Sequence, residues 1–190
     1  FLFAYFLLGC ILLNVFILFL LVIPASKSKK RKLLNRIVSA MAWSSMYLGF
    51  HIKKRFVNFE NLDFTKPSLI VANHSSFLDI LMLLLISPKS IILVKKWVYN
   101  SPFFGLFIRY SGYLFVEEGA EQNLEVIAER VKEGYSIIIF PEGTRSLDGS
   151  ISRFHKGAFY LAQEMKLDIQ PILIAGANYV NPKNDLIIKS

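Results

Sequence analysis

Residues 1–23 (FLFAYFLLGCILLNVFILFLLVI) carry no charged side chain, and Asn14 is the most polar of them. An α-helix of that length extends about 34 Å, enough for a hydrocarbon core of about 30 Å with modest tilt. A domain of this size can hardly wrap an all-apolar rod on every side, which weighs against a buried soluble helix. A signal peptide fits poorly too, because the run is too long, no basic region precedes it and no A-x-A cleavage pattern follows. The sequence therefore predicts a transmembrane helix over residues 1–24, stopped by Pro24. The chain opens at Phe1, inside the apolar run, as expected of a piece of a longer membrane protein.

Charge sharpens this reading. The formal net charge is +8, but residues 27–55 hold nine basic residues and no acidic one, leaving thirteen basic against fourteen acidic elsewhere. A nucleic-acid-binding domain is expected to spread its positive charge over a face of the fold, so nucleic acid is not an expected partner. The cluster Lys27, Lys29, Lys30, Arg31 and Lys32 instead follows the apolar run at once. Such a cluster favours the cytoplasmic side and attracts anionic lipid at roughly 1 kcal/mol per basic residue. The expected location is the cell inner membrane, with the rest of the chain on the cytoplasmic face and the lipid bilayer as a partner. Residues 33–50 read as a second helix without acidic residues and with Trp43 and Tyr47. A membrane-surface helix and a core helix of the following domain fit it equally well. Residues 25–50 thus form a basic juxtamembrane and interfacial segment, and residues 51–190 the remaining domain.

That domain changes pattern. Apolar runs near 55–59, 68–72, 90–94, 113–116, 136–140 and 169–174 read as strands, with helices near 77–86, 102–110, 121–133 and 155–165. Gly134 is placed to stop the third of these helices. Continuous apolar strands separated by helices predict an α/β fold with a largely parallel central sheet flanked by helices. With 54% hydrophobic residues, material for a packed core is ample and disorder is excluded. One cysteine, Cys10, excludes an intramolecular disulfide framework, and the three histidines, His51, His74 and His155, are scattered, so no metal site is expected.

Two strand ends carry polar residues suited to chemistry. Asn73-His74-Ser75-Ser76-Phe77-Leu78-Asp79 leads from the second run into a helix. An imidazole beside a carboxylate is the usual general-base pair. Five residues apart on one helix, the two would point about 140° apart, but they can meet if His74 lies on the loop and Asp79 on the first turn. Ser76-x-x-Asp79 also resembles a capping box, which would give Asp79 a purely structural task. Phe140-Pro141-Glu142-Gly143-Thr144-Arg145-Ser146 leaves the strongly apolar run at 136–140. Arg145 there offers a planar fork for phosphate or carboxylate, or it pairs with Glu142 in a tight surface loop. Arg153-Phe154-His155-Lys156-Gly157-Ala158 then opens the next helix with more positive charge, either as an anion site or as solvated surface. Ser75 and Ser76 do not form a serine-hydrolase site, since no G-x-S-x-G elbow is present.

N-H-S-S-F-L-D, F-P-E-G-T-R-S about sixty residues later, F-H-K-G-A and Pro171 after a strand together resemble the glycerolipid acyltransferase family, over about residues 50–180. Its best-known members are 1-acyl-glycerol-3-phosphate acyltransferases. The resemblance implies that His74 is the base that deprotonates an acceptor hydroxyl and that Asp79 orients it. It implies that Glu142, Gly143, Thr144 and Arg145 bind the acceptor's polar head. The donor would be an acyl thioester on coenzyme A or acyl carrier protein, the acceptor a lysolipid, and no metal or other cofactor would be required.

One position departs from the family. Its middle block commonly ends in an apolar run, an acidic residue and an Arg that helps hold phosphate, whereas Glu117-Glu118 follow Val116 here. A carboxylate at that place would repel a phosphomonoester, so a lysolipid or other hydroxyl without phosphate is an alternative acceptor. Two further alternatives are a non-catalytic lipid-binding module fused to a membrane transporter and a thioesterase-like hydrolase.

Overall fold

Five short runs rich in Ile, Leu and Val become the strands β1 (Leu69–Ala72), β2 (Ser90–Lys95), β3 (Leu114–Val116), β4 (Ser136–Ile139) and β5 (Ile169–Ile172). The computed structural model describes residues 2–48, 53–87, 89–116 and 123–183. The strands form one sheet in the order β3-β2-β4-β1-β5, and every pairing is parallel. Leu69, Ile70, Ile91, Ile137 and Ile138 are almost fully buried, so the middle strands lie between two apolar layers, which is why they read as unbroken apolar runs. β5 is an edge strand, where Pro171 can sit without depriving a neighbour of an amide hydrogen bond.

The strand order fixes the layers. From β1 the chain steps through α3 (Leu78–Ile86) to β2, then through α4 (Lys96–Tyr99) and α5 (Gly105–Ser111) to β3. It then reverses through α6 (Leu124–Lys132) to β4 and through α7 (Gly157–Met165) to β5, ending in α8 (Ala177–Val180). With right-handed crossovers, opposite stepping directions place α3 and α5 on one face and α6 and α7 on the other. The packing agrees, since the N-terminal helix α2 (Lys27–Leu48) lies against both α3 and α5, while α6 meets α7. The reversal makes the crevice between the C-terminal ends of β1 and β4 the switch point of the sheet.

The expected strand near 55–59 does not form. Asn58 adopts a left-handed backbone (φ 56°), which breaks extension, and Phe59–Asn61 make a 3-10 turn. Phe56, Phe59 and Phe64 pack on one another at the surface instead. Gly134 does stop α6, with φ 88° and with the N–H groups of Gly134 and Tyr135 returning to the carbonyls of Val131 and Arg130.

The N-terminal helix α1 (Leu2–Val22) does not stand clear of the domain. Phe6, Cys10, Leu13, Ile17 and Leu20 recur every three or four residues and are buried on a seam against α2 and α5. Asn14 Nδ2 donates to the carbonyl of Phe103 at 2.9 Å, and Phe6 packs edge-on to Phe77 at 5.1 Å. The other faces of α1, including Leu8, Leu12, Val15 and Phe19, are exposed. Among the described residues α1 is the one helix long and apolar enough to cross a membrane.

α2 starts six residues before the expected Leu33, because Ser26 caps it: its carbonyl accepts from Lys30 N at 3.1 Å. Of the two readings of this helix, the core reading holds for one face, where Leu34, Val38, Ala42 and Met46 are buried. The opposite side exposes Leu33, Trp43, Tyr47 and Leu48, with Trp43 stacked on Tyr47 at 4.7 Å. One member of the basic cluster turns inward. Arg31 is buried and ion-paired to Glu133, which also lies 3.4 Å from Arg130. Asn35 Nδ2 donates to the carbonyl of Ser111 at 2.8 Å beside them. Burial raises the pKa of the Tyr113 and Tyr135 phenols at this end of the sheet.

Candidate active site

The register places two loops side by side. Val71 of β1 pairs with Ile139 of β4, so Asn73-His74 and Phe140-Pro141-Glu142 leave the sheet as neighbours at the switch point. His74 lies on the loop and Asp79 in the first turn of α3, and Nδ1 of His74 is 3.1 Å from Oδ2 of Asp79. Oδ2 also accepts the backbone N–H groups of Ser75 at 2.6 Å and Ser76 at 2.8 Å. One oxygen of Asp79 therefore makes both the contact to the helix start and the contact to the His74 ring. Asp79 is fully buried, and Oδ2 gathers three hydrogen-bond partners, the two N–H groups and the His74 ring.

The EGTR loop grips His74 by its backbone. Glu142 is buried, its Oε1 accepting the N–H of His74 at 2.7 Å and its Oε2 the N–H of Ser152 at 2.8 Å. On the other side of the same residue, the carbonyl of His74 accepts the N–H of Ser146 at 2.7 Å. The imidazole stacks on the ring of Phe140, centroids 4.0 Å apart and planes 20° apart. Nδ1 is engaged by Asp79 and one ring face by Phe140, so Nε2 is the ring nitrogen left to meet a substrate hydroxyl. No ion pair joins Glu142 to Arg145 among the described residues. Arg145 is half-buried; burial pulls its pKa below the usual arginine value, and the Asp79 carboxylate acts in the opposite sense.

An imidazole steered by a buried carboxylate, at the mouth of a parallel sheet and beside an arginine, suits proton abstraction from a hydroxyl next to an anion. A sequence family described as Acyltransferase matches residues 53–175, more than half of the chain and all of the elements just described from β1 to β5.

The chain belongs to the acyltransferase family.

Individual relatives agree with this acyltransferase assignment. The chain is 34% identical over 163 residues to the 1-acyl-sn-glycerol-3-phosphate acyltransferase of Saccharomyces cerevisiae, an alignment covering 81% of this chain and 54% of that protein. It is 32% identical over 148 residues to the chloroplastic 1-acyl-sn-glycerol-3-phosphate acyltransferase BAT2 of Brassica napus, covering 75% of this chain and 43% of that one. The chain thus spans about half the length of the curated relatives it matches. Among solved structures, the 1-acyl-sn-glycerophosphate (LPA) acyltransferase PlsC from Thermotoga maritima superposes with a TM-score of 0.78 at 25% identity. That superposition covers 98% of this chain and 78% of that one.

All six residues singled out in the sequence thus lie at one sheet edge, with different degrees of access. His74 and Arg145 are partly exposed, Gly143 and Thr144 are open, and Asp79 and Glu142 are buried. Gly143 has φ 67°, a left-handed backbone in which a side chain would be strained, although a Cβ there would meet the His155 ring only in ordinary contact at 3.4 Å. Ser75 and Ser76 are buried, and Ser76 Oγ donates to the carbonyl of Asn181 at 2.8 Å while accepting the N–H of Leu78 at 3.2 Å. Glu117 and Glu118, the departure from the family pattern, lie outside the described residues.

Other contributors escaped the sequence reading. Asn73 bridges β1 to β5, with Nδ2 donating to the Ile174 carbonyl at 2.9 Å and Oδ1 accepting the Ile174 N–H at 2.7 Å. Lys95 and Lys96 are exposed at the C-terminal end of β2, one strand over from Phe140. Lys183 Nζ donates to Thr144 Oγ1 at 3.2 Å. The parallel order alone would have found the lysines of β2; the Asn73 and Lys183 contacts join residues 101 and 39 positions apart and have no local signature.

Proposed function

We propose that this chain carries the active site of a membrane-attached O-acyltransferase that moves a fatty acyl group from an acyl thioester to the free hydroxyl of 1-acyl-glycerol-3-phosphate. The thioester is carried on coenzyme A or acyl carrier protein. The observation that carries the reading is the contact of His74 Nδ1 with the buried Asp79 carboxylate. Asp79 accepts a hydrogen bond from the Nδ1–H of His74 and so selects the tautomer whose Nε2 lone pair is free. Nε2 takes the acceptor's hydroxyl proton as its oxygen bonds to the thioester carbonyl carbon. The tetrahedral intermediate collapses, the carbon–sulfur bond breaks, and the imidazolium returns the proton to the leaving thiolate. General-base assistance of this kind is worth about 10²–10⁴ in rate. Arg145 lies beside the base and supplies a fork for the acceptor's anionic head. Glu142 has both carboxylate oxygens engaged by backbone N–H groups, so its part is to hold His74 rather than to touch the acceptor.

Membrane attachment rests on α1. Its seam residues pack on the domain and its exposed faces are apolar, so it embeds those faces in lipid while Phe6, against Phe77, keeps the catalytic loop near the bilayer. The exposed lysines at the start of α2 add attraction to anionic headgroups.

The test uses labelled acyl-coenzyme A and acyl carrier protein, each offered with and without lysophosphatidate and with a panel of other lysolipids. The expected product is a diacyl phospholipid formed from lysophosphatidate, abolished in a folded His74→Ala variant and cut at least a hundredfold in Asp79→Asn. Release of free fatty acid regardless of acceptor would make the protein a thioesterase. Binding of lipid without turnover would make it a lipid-binding module.

A further inference from the structure

Lys183 reaches the candidate site from the far end of the chain, and the way it is held identifies a task for it. The segment after α8 is docked on the catalytic loop, since the Asn181 carbonyl accepts from the buried Ser76 Oγ at 2.8 Å and Asn181 N donates to the Ala177 carbonyl at 2.9 Å. Pro182 restricts the next residue's approach, and Lys183 then lies over the EGTR loop with Nζ 3.2 Å from Thr144 Oγ1. An ammonium has three protons to donate, and Thr144 takes one.

Among the described residues, three nearby carboxylates have hydrogen-bond partners of their own. Asp79 is buried under His74 and bound to it, Glu142 is buried with both oxygens on backbone N–H groups, and Asp148 is taken up by Ser146 and Ser150. Of the charged groups described on this edge, Arg145, Lys183 and, on the following segment, Arg153 and Lys156 are cationic, and the exposed Asp148 carboxylate lies among them. In sequence, Glu117-Glu118 occupy the place where the family commonly carries a phosphate-holding Arg.

We propose that Lys183 is a specificity-determining residue of this acyltransferase, contacting the phosphomonoester of the acceptor from the side of Thr144 while Arg145 contacts it from the other, and so making up the basic charge missing at 117–118. The assignment rests on the phosphate-bearing acceptor argued under the proposed function. It accounts for a lysine hydrogen-bonded to a threonine of the acceptor loop at a sheet edge that also carries Arg145, Arg153 and Lys156.

The experiment compares the wild-type chain with Lys183→Gln and Lys183→Arg, using one acyl thioester and two acceptors, lysophosphatidate and the uncharged monoacylglycerol. Lys183→Gln is expected to raise the KM for lysophosphatidate roughly ten- to a hundredfold, the loss of one charge-assisted contact, with donor KM and monoacylglycerol turnover unchanged. Lys183→Arg is expected to recover most of the loss. Equal effects on both acceptors, or none on either, overturn the proposal. Failure of the underlying reading is distinct, because the wild-type chain would then form no diacyl phosphate product. In that case direct binding of lysophosphatidate in mixed micelles decides: weaker binding to Lys183→Gln than to wild type sustains the contact, and equal binding overturns it.

Discussion

Glu142 fixes the position of His74 through the backbone, its Oε1 accepting the His74 N–H at 2.7 Å while its Oε2 accepts from Ser152 at 2.8 Å. One buried carboxylate thus ties the loop after β1 to the segment leading into α7, across the switch point of the sheet. The alternative, direct contact with the acceptor's head, would add a second partner to a buried oxygen that already accepts one N–H.

Glu142→Gln separates the two roles. The amide keeps one acceptor oxygen and turns a donor toward a backbone N–H, so one buried hydrogen bond is lost. Stability is expected to fall by about 1.5–3 kcal/mol in urea or thermal unfolding, with kcat reduced more than acceptor KM is raised. An unchanged melting temperature with a raised acceptor KM would return Glu142 to the head-group site.

The loop beyond Arg145 has its own acid response. Hydrogen bonds from Ser150, then Ser146, hold the Asp148 pKa at about 2, below the ordinary 3.8. A carboxylate with a depressed folded-state pKa stabilises the fold above its unfolded pKa and loses that contribution as pH falls through its folded one. The stability difference between wild type and Asp148→Asn is therefore expected to be present at neutral pH and to shrink between about pH 4 and pH 2. Thermal unfolding across that range measures it; a difference independent of pH would mean that the hydrogen bonds do not depend on the charge.

Most of this arrangement was legible because it is local or periodic. Unbroken runs such as Ser136-Ile137-Ile138-Ile139 announce strands buried on both faces, and Gly134 marks a helix end that needs a left-handed residue. His74 and Asp79 could be paired because five residues and one strand-to-helix turn separate them. What sequence could not supply was set by tertiary competition. RFVNF has strand-like composition, but Asn58 turns left-handed and the segment pairs with nothing in the sheet. α1 reads as an isolated span, because the three- and four-residue spacing of Phe6, Cys10, Leu13, Ile17 and Leu20 is hidden when every neighbour is also apolar. The two backbone N–H groups that hold Glu142 leave no trace in the side-chain pattern, so this contact could not be read from the sequence.

At the opposite end of the sheet, the buried Arg31–Glu133 pair anchors α2 to the turn after α6. Removing one partner strands the other charge in a poorly solvated place. Glu133→Ala is expected to cost about 2–3 kcal/mol, less than a fully buried pair because the glutamate is partly exposed, with kcat unchanged in the folded protein. Arg31→Met combined with Glu133→Met is expected to recover much of the loss, since two apolar side chains remove the unpaired charge. Chemical denaturation of the two variants distinguishes this from a surface pair, whose removal would cost about 0–1 kcal/mol.

Phe140 sets the plane of the His74 imidazole. Its ring lies parallel to that of His74 at 4.0 Å, while Asp79 pins Nδ1, and together the two contacts leave rotation about the His74 side chain little room. Aromatic pairs of this kind are worth about 0.5–1.5 kcal/mol beyond the area they bury. Phe140→Leu keeps an apolar side chain at the end of β4 but removes the flat face, so the imidazole can tilt away from the acceptor hydroxyl. A small displacement of a general base carries a larger kinetic penalty than its stability cost, because proton transfer requires hydrogen-bond reach. Phe140→Leu is therefore expected to lower kcat about tenfold or more, with donor and acceptor KM nearly constant and a loss of stability near 1 kcal/mol. Phe140→Tyr, which keeps the ring, is expected to hold kcat close to wild type. Parallel loss in both variants, or a change confined to KM, would show that the stacked ring does not position His74.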